Sequence, residues 1–411
     1  MMPGENIRLR PRHFNLSSED TIMLPTACRW TLILVSAMTF CAGPAHGGET
    51  AGEPPSRWHF DLDLYGYVKL DTAYESSRTS PGEFAKWVLP DPATGEDGAY
   101  HATLNQTRLG LRLEPAGKAR FLASGRVEID FYGKVQDPDP RIRHAYVTLA
   151  WPDAGFDIIV GQTSDVISPL NPQTLNYTVA WWAGNIGFRR PQIRISKYLA
   201  TGGESELLLE GALTHNIYDT RVGSLVGEDA GLAAQARLSF TFPGIGTQPT
   251  TIGISGHRAE EDFTTGDVTT RSDSWSGDLD LTLPLTGTVR LQCELFTGAG
   301  LGPYLGGVGQ GVDPIDFHGI KSRGGWLALN VVTPSRHRLR GFNAGVSVDD
   351  VDGADLAPGG RELNRSIFAN VLCALREKIE LGVEISRWTT RYKERDTRDA
   401  LRTQVSLIYK I

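Results

Sequence analysis

The sequence predicts an all-β fold, a transmembrane antiparallel β-barrel of sixteen strands with its third outer loop folded into the lumen. Three observations carry this prediction. Apolar and polar residues alternate with a period of two along most of the chain, as they do in strands whose successive side chains point to opposite faces. The polar face is charged on strand after strand. The connections alternate between tight turns and longer links rich in Gly, Asp and Pro.

The first strand poses the question that the others repeat. In FDLDLYGYVKLDTAY, residues 60–74, Phe60, Leu62, Leu64, Val68 and Leu70 share one face, and Asp61, Asp63, Tyr65, Lys69 and Asp71 share the other. A soluble sheet would bury the apolar face in a core. A membrane barrel turns it to lipid and keeps the polar face around a wet lumen.

Ahead of this strand, the apolar run WTLILVSAMTFCA (30–42) follows Arg29 and leads into the small residues AGPAHGG (42–48). This reads as a secretory signal peptide over residues 1–47, cleaved after Ala45 or Gly47, with Met23 an alternative start. The run is too short for a spanning helix, which needs roughly 20 apolar residues; a short membrane anchor is the alternative. Residues 48–57 are then a short periplasmic N-terminal segment and 58–411 the barrel.

Strands are expected near 58–74, 101–114, 119–133, 141–152, 156–163, 187–199, 205–216, 232–242, 249–261, 271–284, 288–299, 324–334, 339–349, 365–376, 379–394 and 399–411. The links after the even-numbered strands are tight: EPAGK, PDAG, TGGES, PGIGTQ, LTG, PSRHR and EK. Those after the odd-numbered strands are mostly longer. Short periplasmic turns alternating with longer outer loops belong to outer-membrane barrels. Sixteen strands enclose an interior wide enough for water, and closure leaves no sheet edge unpaired. Trp151 and Phe156, beside a tight turn, suit the periplasmic aromatic girdle.

The chain has 411 residues, a formal charge of -7 and a pI of about 5.8. Nothing in this balance suggests the basic patch of a nucleic-acid binder. Removing residues 1–47 takes away four Lys/Arg and three Asp/Glu, leaving a net charge of -8. No later apolar run is long enough for a transmembrane helix. Cys293 and Cys373 remain, both on the apolar phase of their strands, and are read as small hydrophobes rather than as a disulfide.

The segment SDVISPLNPQTLNYTVAWWAGNI (164–186) is the third outer loop by strand count and carries one charge, Asp165. With Trp181 and Trp182 it is not expected to stay in solvent. It folds into the lumen or, as the alternative, packs on a neighbouring subunit. Around it the polar phase is basic: Arg108 and Arg112 on the second strand, Arg120 and Arg126 on the third, Arg190 and Arg194 on the sixth. Glu128 and Asp130 interrupt the set. Such a wall would favour anions, since guanidinium binds carboxylate and phosphate through a two-pronged fork. The competing reading is a charge ladder that stiffens the wall and orders water.

The remaining motifs are weaker. GGVGQG (306–311) has no following Lys-Ser/Thr, so it is read as a flexible outer loop and not a phosphate loop. Asp350, Asp352 and Asp355 in DVDGAD have spacing that could hold Ca²⁺. A solvated acidic turn is the default there. His144 and His215 lack metal-ligand spacing. No catalytic residues and no cofactor are indicated.

Three motifs, GYVKLD (66–71), GQTSDVISPLNPQTLNY (161–177) and RRPQIRIS (189–196), together with RHAY (143–146), resemble the DcaP-like family of outer-membrane porins. They cover the first half; the second half is similar through its barrel rhythm. The resemblance implies a homotrimer of sixteen-stranded barrels, an inward third loop, and passive uptake of small hydrophilic solutes, anionic dicarboxylates among them. It places GQT and the following loop at the constriction, with Arg190 and Arg194 on the adjoining wall. Outer-membrane lipid, lipopolysaccharide and the barrel-assembly machinery are the other expected partners, and the bacterial outer membrane the expected location. The chain departs from the pattern in having about ten residues between signal and first strand and in ending on Ile411, where barrels usually end on an aromatic. A phosphate-specific channel, a barrel enzyme and a secreted β-sandwich hydrolase are the alternatives.

Overall fold

In the computed structural model, the described residues are 60–411 except 91–96, 116–118, 134–137, 219, 223–224, 245–247 and 334–337. The expected signal peptide and the segment 48–57 lie outside them.

The alternation of the first strand resolves in favour of the barrel. Leu64 is 59% exposed, whereas Lys69, on the other phase, is 3% exposed. Apolar side chains therefore point out and charged ones in, the reverse of a soluble sheet. The same inversion runs through Ala233–Pro243, where Gln235, Arg237 and Ser239 are buried and Ala234, Leu238 and Phe240 are exposed. It recurs in the last strand, with Arg402, Gln404 and Ser406 inside and Leu401, Val405 and Leu407 outside.

Sixteen antiparallel strands close the wall, as the sequence predicts. They are β1 (Phe60–Glu75), β2 (Ala99–Thr103 continuing as Arg108–Pro115), β3 (Leu122–Asp130), β4 (Arg141–Trp151), β5 (Phe156–Ser164), β6 (Arg189–Gly202), β7 (Ser205–Thr214) and β8 (Ala233–Pro243). The second half is β9 (Pro249–Thr265), β10 (Val268–Pro284), β11 (Val289–Ala299), β12 (Lys321–Val332), β13 (Leu339–Val351), β14 (Arg361–Ala374), β15 (Ile379–Tyr392) and β16 (Arg398–Lys410). Each pairs with its sequence neighbour, and β16 pairs with β1 from Tyr67↔Lys410 to Glu75↔Arg402. The ladder thus runs from strand to strand round the whole wall with no free edge, as a spanning sheet requires. Beyond that register the Ile411 backbone N–H donates to the Gly66 carbonyl, adding one more bond to the seam.

Two features differ from expectation. β9 and β10 run on to a tight hairpin at 266–267 instead of a longer outer loop. Cross-strand pairs of Arg271 with Asp262 and Glu260 carry the ladder past the expected ends. Short strand pairs also form inside two loops, at Thr79–Pro81 with Ala85–Val88 and at Thr220–Val222 with Leu225–Asp229.

At the tight-turn end, the Trp151 ring lies 5.2 Å from Phe121 and 5.5 Å from Phe156, forming the aromatic cluster expected of a girdle. Cys293 and Cys373 are free thiols. Cys293 is level with Leu281 and Leu327 on the outward face.

Candidate functional site

Three loops turn inward and meet. The loop 165–188 is tied to walls on several sides of the lumen. Its Val166 N–H donates to Gln235 on β8, Leu170 N–H to Glu294 on β11, and Leu175 N–H to Glu384 on β15. Lys69 on β1 and Gln404 on β16 both donate to the Leu175 carbonyl. A segment bonded to β1, β8, β11, β15 and β16 at once crosses the barrel interior. The hairpin 79–88 lies beside it: Asn176 exchanges hydrogen bonds with the Ala85 backbone at 2.9 and 3.0 Å. Arg402 donates to the Gly82 and Glu83 carbonyls.

The third inward loop is 300–320, which contains GGVGQG. It is not the flexible outer loop read from its glycines. Leu301, Leu305 and Val308 are fully buried. Trp182 N–H donates to the Leu305 carbonyl, Gly187 N–H to the Tyr304 carbonyl, and Val308 N–H to Asp349. Its glycines permit close passage, while its apolar residues supply the packing. That apolar content was the signal available in the sequence.

Beneath the bend of the loop 165–188 lies a cavity of about 200 Å³ whose lining includes Arg108, Arg143, Arg189, Asn171, Tyr177 and Trp181. Around it five guanidiniums meet Glu128 and Asp130, and the third carboxylate, Asp165 in the lining, is taken up by Arg190. Arg143 reaches Glu128 at 2.7 Å and Asp130 at 3.0 Å. Arg126 holds Glu128 at 2.6 Å, and Arg141 holds Asp130 at 2.7 Å. Arg108 and Arg189 have no carboxylate partner among the described residues, and Arg108 Nε and Arg189 Nη2 are buried without any hydrogen-bond acceptor. Arg189 packs over Phe188 at 4.5 Å and Trp181 at 5.6 Å, and Arg108 over Tyr67 at 5.6 Å. Aromatic faces make up part of the missing counter-charge.

Tyr177, in the loop, registers the resulting field. Its phenol is fully buried, which raises its pKa, yet Arg141, Arg189 and Arg143 hold it below the ordinary value. Lys86, on the hairpin, adds a cation 4.5 Å from the Trp182 ring. Burial, helped by the nearby Arg361, lowers its pKa to about 8.

The residues singled out by sequence take up different places. Arg126, Arg112 and Arg194 stay on the inner wall, partly exposed. Arg112 lies 3.6 Å from Asp63 and 4.2 Å from the Tyr65 ring, and Arg194 is 3.6 Å from Glu210. Arg120 sits at the exposed turn before β3. Glu128 and Asp130 are buried and balance arginines. Arg190 and Asp165 instead form a fully buried ion pair. Arg190 also donates to the Pro303 carbonyl at 2.5 Å and covers the Tyr304 ring at 3.8 Å. It clamps two loops together and presents nothing to a solute. Trp182 is likewise packed inside the loop cluster, against Trp181 and Trp87.

Asp350, Asp352 and Asp355 do not converge. Asp350 points outward to Arg323 and Arg391, Asp352 accepts from the Ala354 N–H, and Asp355 accepts from the Lys321 N–H. One lies on a strand and two cap backbone, so their sequence spacing does not become a calcium shell. Among the described residues the ligand-type cluster is Asp313, Asp316 and His318.

Sequence reasoning missed Arg141, Arg143 and Arg189. A bulge between Glu128 and Ile129 shifts the register with β4 and lets Arg141 and Arg143 both reach the carboxylates of β3. Arg189 starts β6 on the outward phase, but the returning loop draws its side chain in beneath Trp181.

No family model and no curated protein matches the chain. Solved structures do match. The outer membrane channel DcaP of Acinetobacter baumannii is similar over 86% of this chain and 97% of that one, with a TM-score of 0.69 and 19% identity. This chain has the porin fold. The anion-selective porin from Comamonas acidovorans matches with a TM-score of 0.53 and 14% identity over 86% of this chain and all of that one. The trimer form of OmpT of Vibrio cholerae matches at 0.54 and 8% over 86% and 99%.

Proposed function

We propose that the protein is a homotrimeric porin of the bacterial outer membrane, a water-filled channel for passive diffusion of small hydrophilic solutes with a preference for anions, dicarboxylates among them. The observation that carries this reading is the surplus of guanidinium over carboxylate at the cavity beneath the loop 165–188, with Arg108 and Arg189 unpaired. Fixed positive charge in a narrow wet passage lowers the barrier to anions and raises it for cations. The likeness to a porin described as anion-selective and to a trimeric one supports the same reading. A phosphate-specific channel would be served by an unbroken arginine ladder; here Glu128 and Asp130 break it.

For the barrel-enzyme reading, a histidine–serine group among the described residues offers a candidate. His257 lies between Ser276 at 2.7 Å and Ser274 at 3.0 Å. However, the Tyr304 ring stacks on the imidazole at 3.7 Å and His257 is buried, which argues against a catalytic role.

The test is the reversal potential of the refolded protein in a planar bilayer under a KCl gradient. Chloride preference is expected. Potassium preference would refute the anion lean, and the absence of conductance would refute the channel.

A further inference from the structure

A second pair of cations lies outside the cavity, beyond Trp182. The cavity is lined by Trp181, which carries Arg189 at 5.6 Å. Its neighbour Trp182 carries Lys86 at 4.5 Å instead, and the two indole rings meet edge to face at 6.3 Å. The Lys86 ammonium also lies 5.6 Å from the ring of Trp87. The Arg361 guanidinium, at the loop end of β14, covers that same ring at 4.2 Å. Lys86 and Arg361 therefore share Trp87, and neither borders the cavity.

Backbone contacts fix both residues. The Lys86 carbonyl accepts from the Asn364 amide at 2.6 Å, and the same amide donates to the Trp182 carbonyl at 2.8 Å. Gln310, in GGVGQG, accepts from the Arg361 N–H at 2.9 Å and donates to the Arg361 carbonyl at 2.8 Å. Arg361 Nε donates to the Val308 carbonyl at 2.8 Å. Its two Nη groups and the Lys86 ammonium have no hydrogen-bond or ion-pair partner among the described residues. Both side chains are half-buried, and neither charged end is sealed off. Carboxylates on the flanking segments are engaged elsewhere: Glu83 accepts from Asn105, Asp349 from the Val308 N–H, and Glu362 pairs with Arg391. Half-burying a cation without a carboxylate is costly. Aromatic faces offset part of that cost, and an incoming anion would offset more.

We propose that Lys86 and Arg361 form a second anion site, at the loop end of the lumen, which captures a carboxylate of an entering solute separately from the cavity. The two free Nη groups of Arg361 present a fork to the carboxylate, and the ammonium adds a further charged donor. Chloride has the charge and not the paired oxygens; a neutral diamide has the shape and not the charge. The proposal rests on the channel reading given above.

The experiment uses the full mature chain refolded in detergent. It reads, by peptide mass spectrometry, the rate at which the uncharged reagent N-hydroxysuccinimidyl acetate acylates Lys86 near neutral pH. The Lys86 pKa of about 8 leaves enough free amine for the reaction. Succinate is expected to slow this labelling saturably, with half the effect at about millimolar concentration, while the exposed Lys321 reacts as before. Succinamide, and sodium chloride at matched ionic strength, should protect Lys86 far less. Arg361→Gln should weaken the protection about tenfold, and Arg361→Lys, which keeps the charge and loses the fork, should fall between. Arg108→Gln/Arg189→Gln should be protected as the native protein is. Labelling indifferent to succinate, equal protection by succinamide or chloride, native protection in a folded Arg361→Gln, or loss of protection in Arg108→Gln/Arg189→Gln would each overturn the proposal. Conductance in planar bilayers is recorded on the same samples. Native conductance with Lys86 unprotected refutes this site alone, whereas silent channels with Lys86 protected refute the channel reading and leave the anion binding.

Discussion

The buried pair of Asp165 and Arg190 makes a sharp test of how the inward loops are held. Asp165 accepts from Arg190 and, independently, from the Phe188 N–H at 2.7 Å and from Gln235 at 2.8 Å. Arg190 ties this carboxylate to the Pro303 carbonyl. Asp165→Asn leaves a guanidinium buried beside an amide that offers it a donor. Breaking a buried pair by neutralising one partner costs about 3–5 kcal/mol. This cost falls on docking of the two loops, since the ladders of the barrel wall are untouched. A loss of about 3 kcal/mol multiplies the undocked population roughly 150-fold. Single-channel recording should therefore show larger conductance and frequent substates. Arg190→Gln should be milder, because Asp165 keeps two donors. The double variant Asp165→Asn/Arg190→Met should be quieter than Asp165→Asn, because no unpaired charge remains. Native conductance and noise in Asp165→Asn would refute the clamp.

Three further outcomes are expected. Burial lowers the pKa of Lys86 to about 8, so its cost to the folded state is present below pH 8 and is relieved as pH rises toward the ordinary value of 10.5. Anion preference should fall between pH 7 and 9, and Lys86→Met should remove that step from the reversal potential. Gly184 sits at φ +121° with the backbones of Gly325 and Val348 where a Cβ would go; Gly184→Ala should displace the loop and change conductance, and an unaltered channel would show that the approach is not tight. Cys293 and Cys373, on the outward apolar phase, should react in bilayers with a lipid-soluble maleimide but not with a charged one, read by mass spectrometry; labelling by the charged reagent would contradict their placement.

The wall was legible because a barrel repeats a simple physical rule. Each strand must alternate, and each even-numbered link must turn tightly, so errors at strand ends do not spread. The inward course of the loop 165–188 was legible from Trp181, Trp182 and its single charge. The course of 300–320 was not, because its glycines read as flexibility while Leu301, Leu305 and Val308 supplied the packing. The site itself was legible only in part. Period-two reasoning found Arg108 and Arg126, but a bulge opposite β4 and the return of a loop brought in Arg143 and Arg189. It could not reveal that Arg190 would spend its charge on Asp165, 25 residues earlier. Nor could spacing show that Asp350, Asp352 and Asp355 would each turn to partners of their own.

The most direct measurement is the chloride-to-potassium permeability ratio of the native protein against Arg108→Gln/Arg189→Gln. Neither change breaks an ion pair, so the wall should stand. A fixed charge about 6 Å from a passing ion contributes roughly 0.4 kcal/mol in water at 0.1 M salt. Removing it alters anion and cation permeation by about twofold each in opposite directions, or about fourfold in the ratio. The double variant, with two charges removed, should lose roughly fifteenfold of its chloride preference. A ratio that stays at the native value, in channels of native conductance, would contradict the claim that these two arginines set the selectivity.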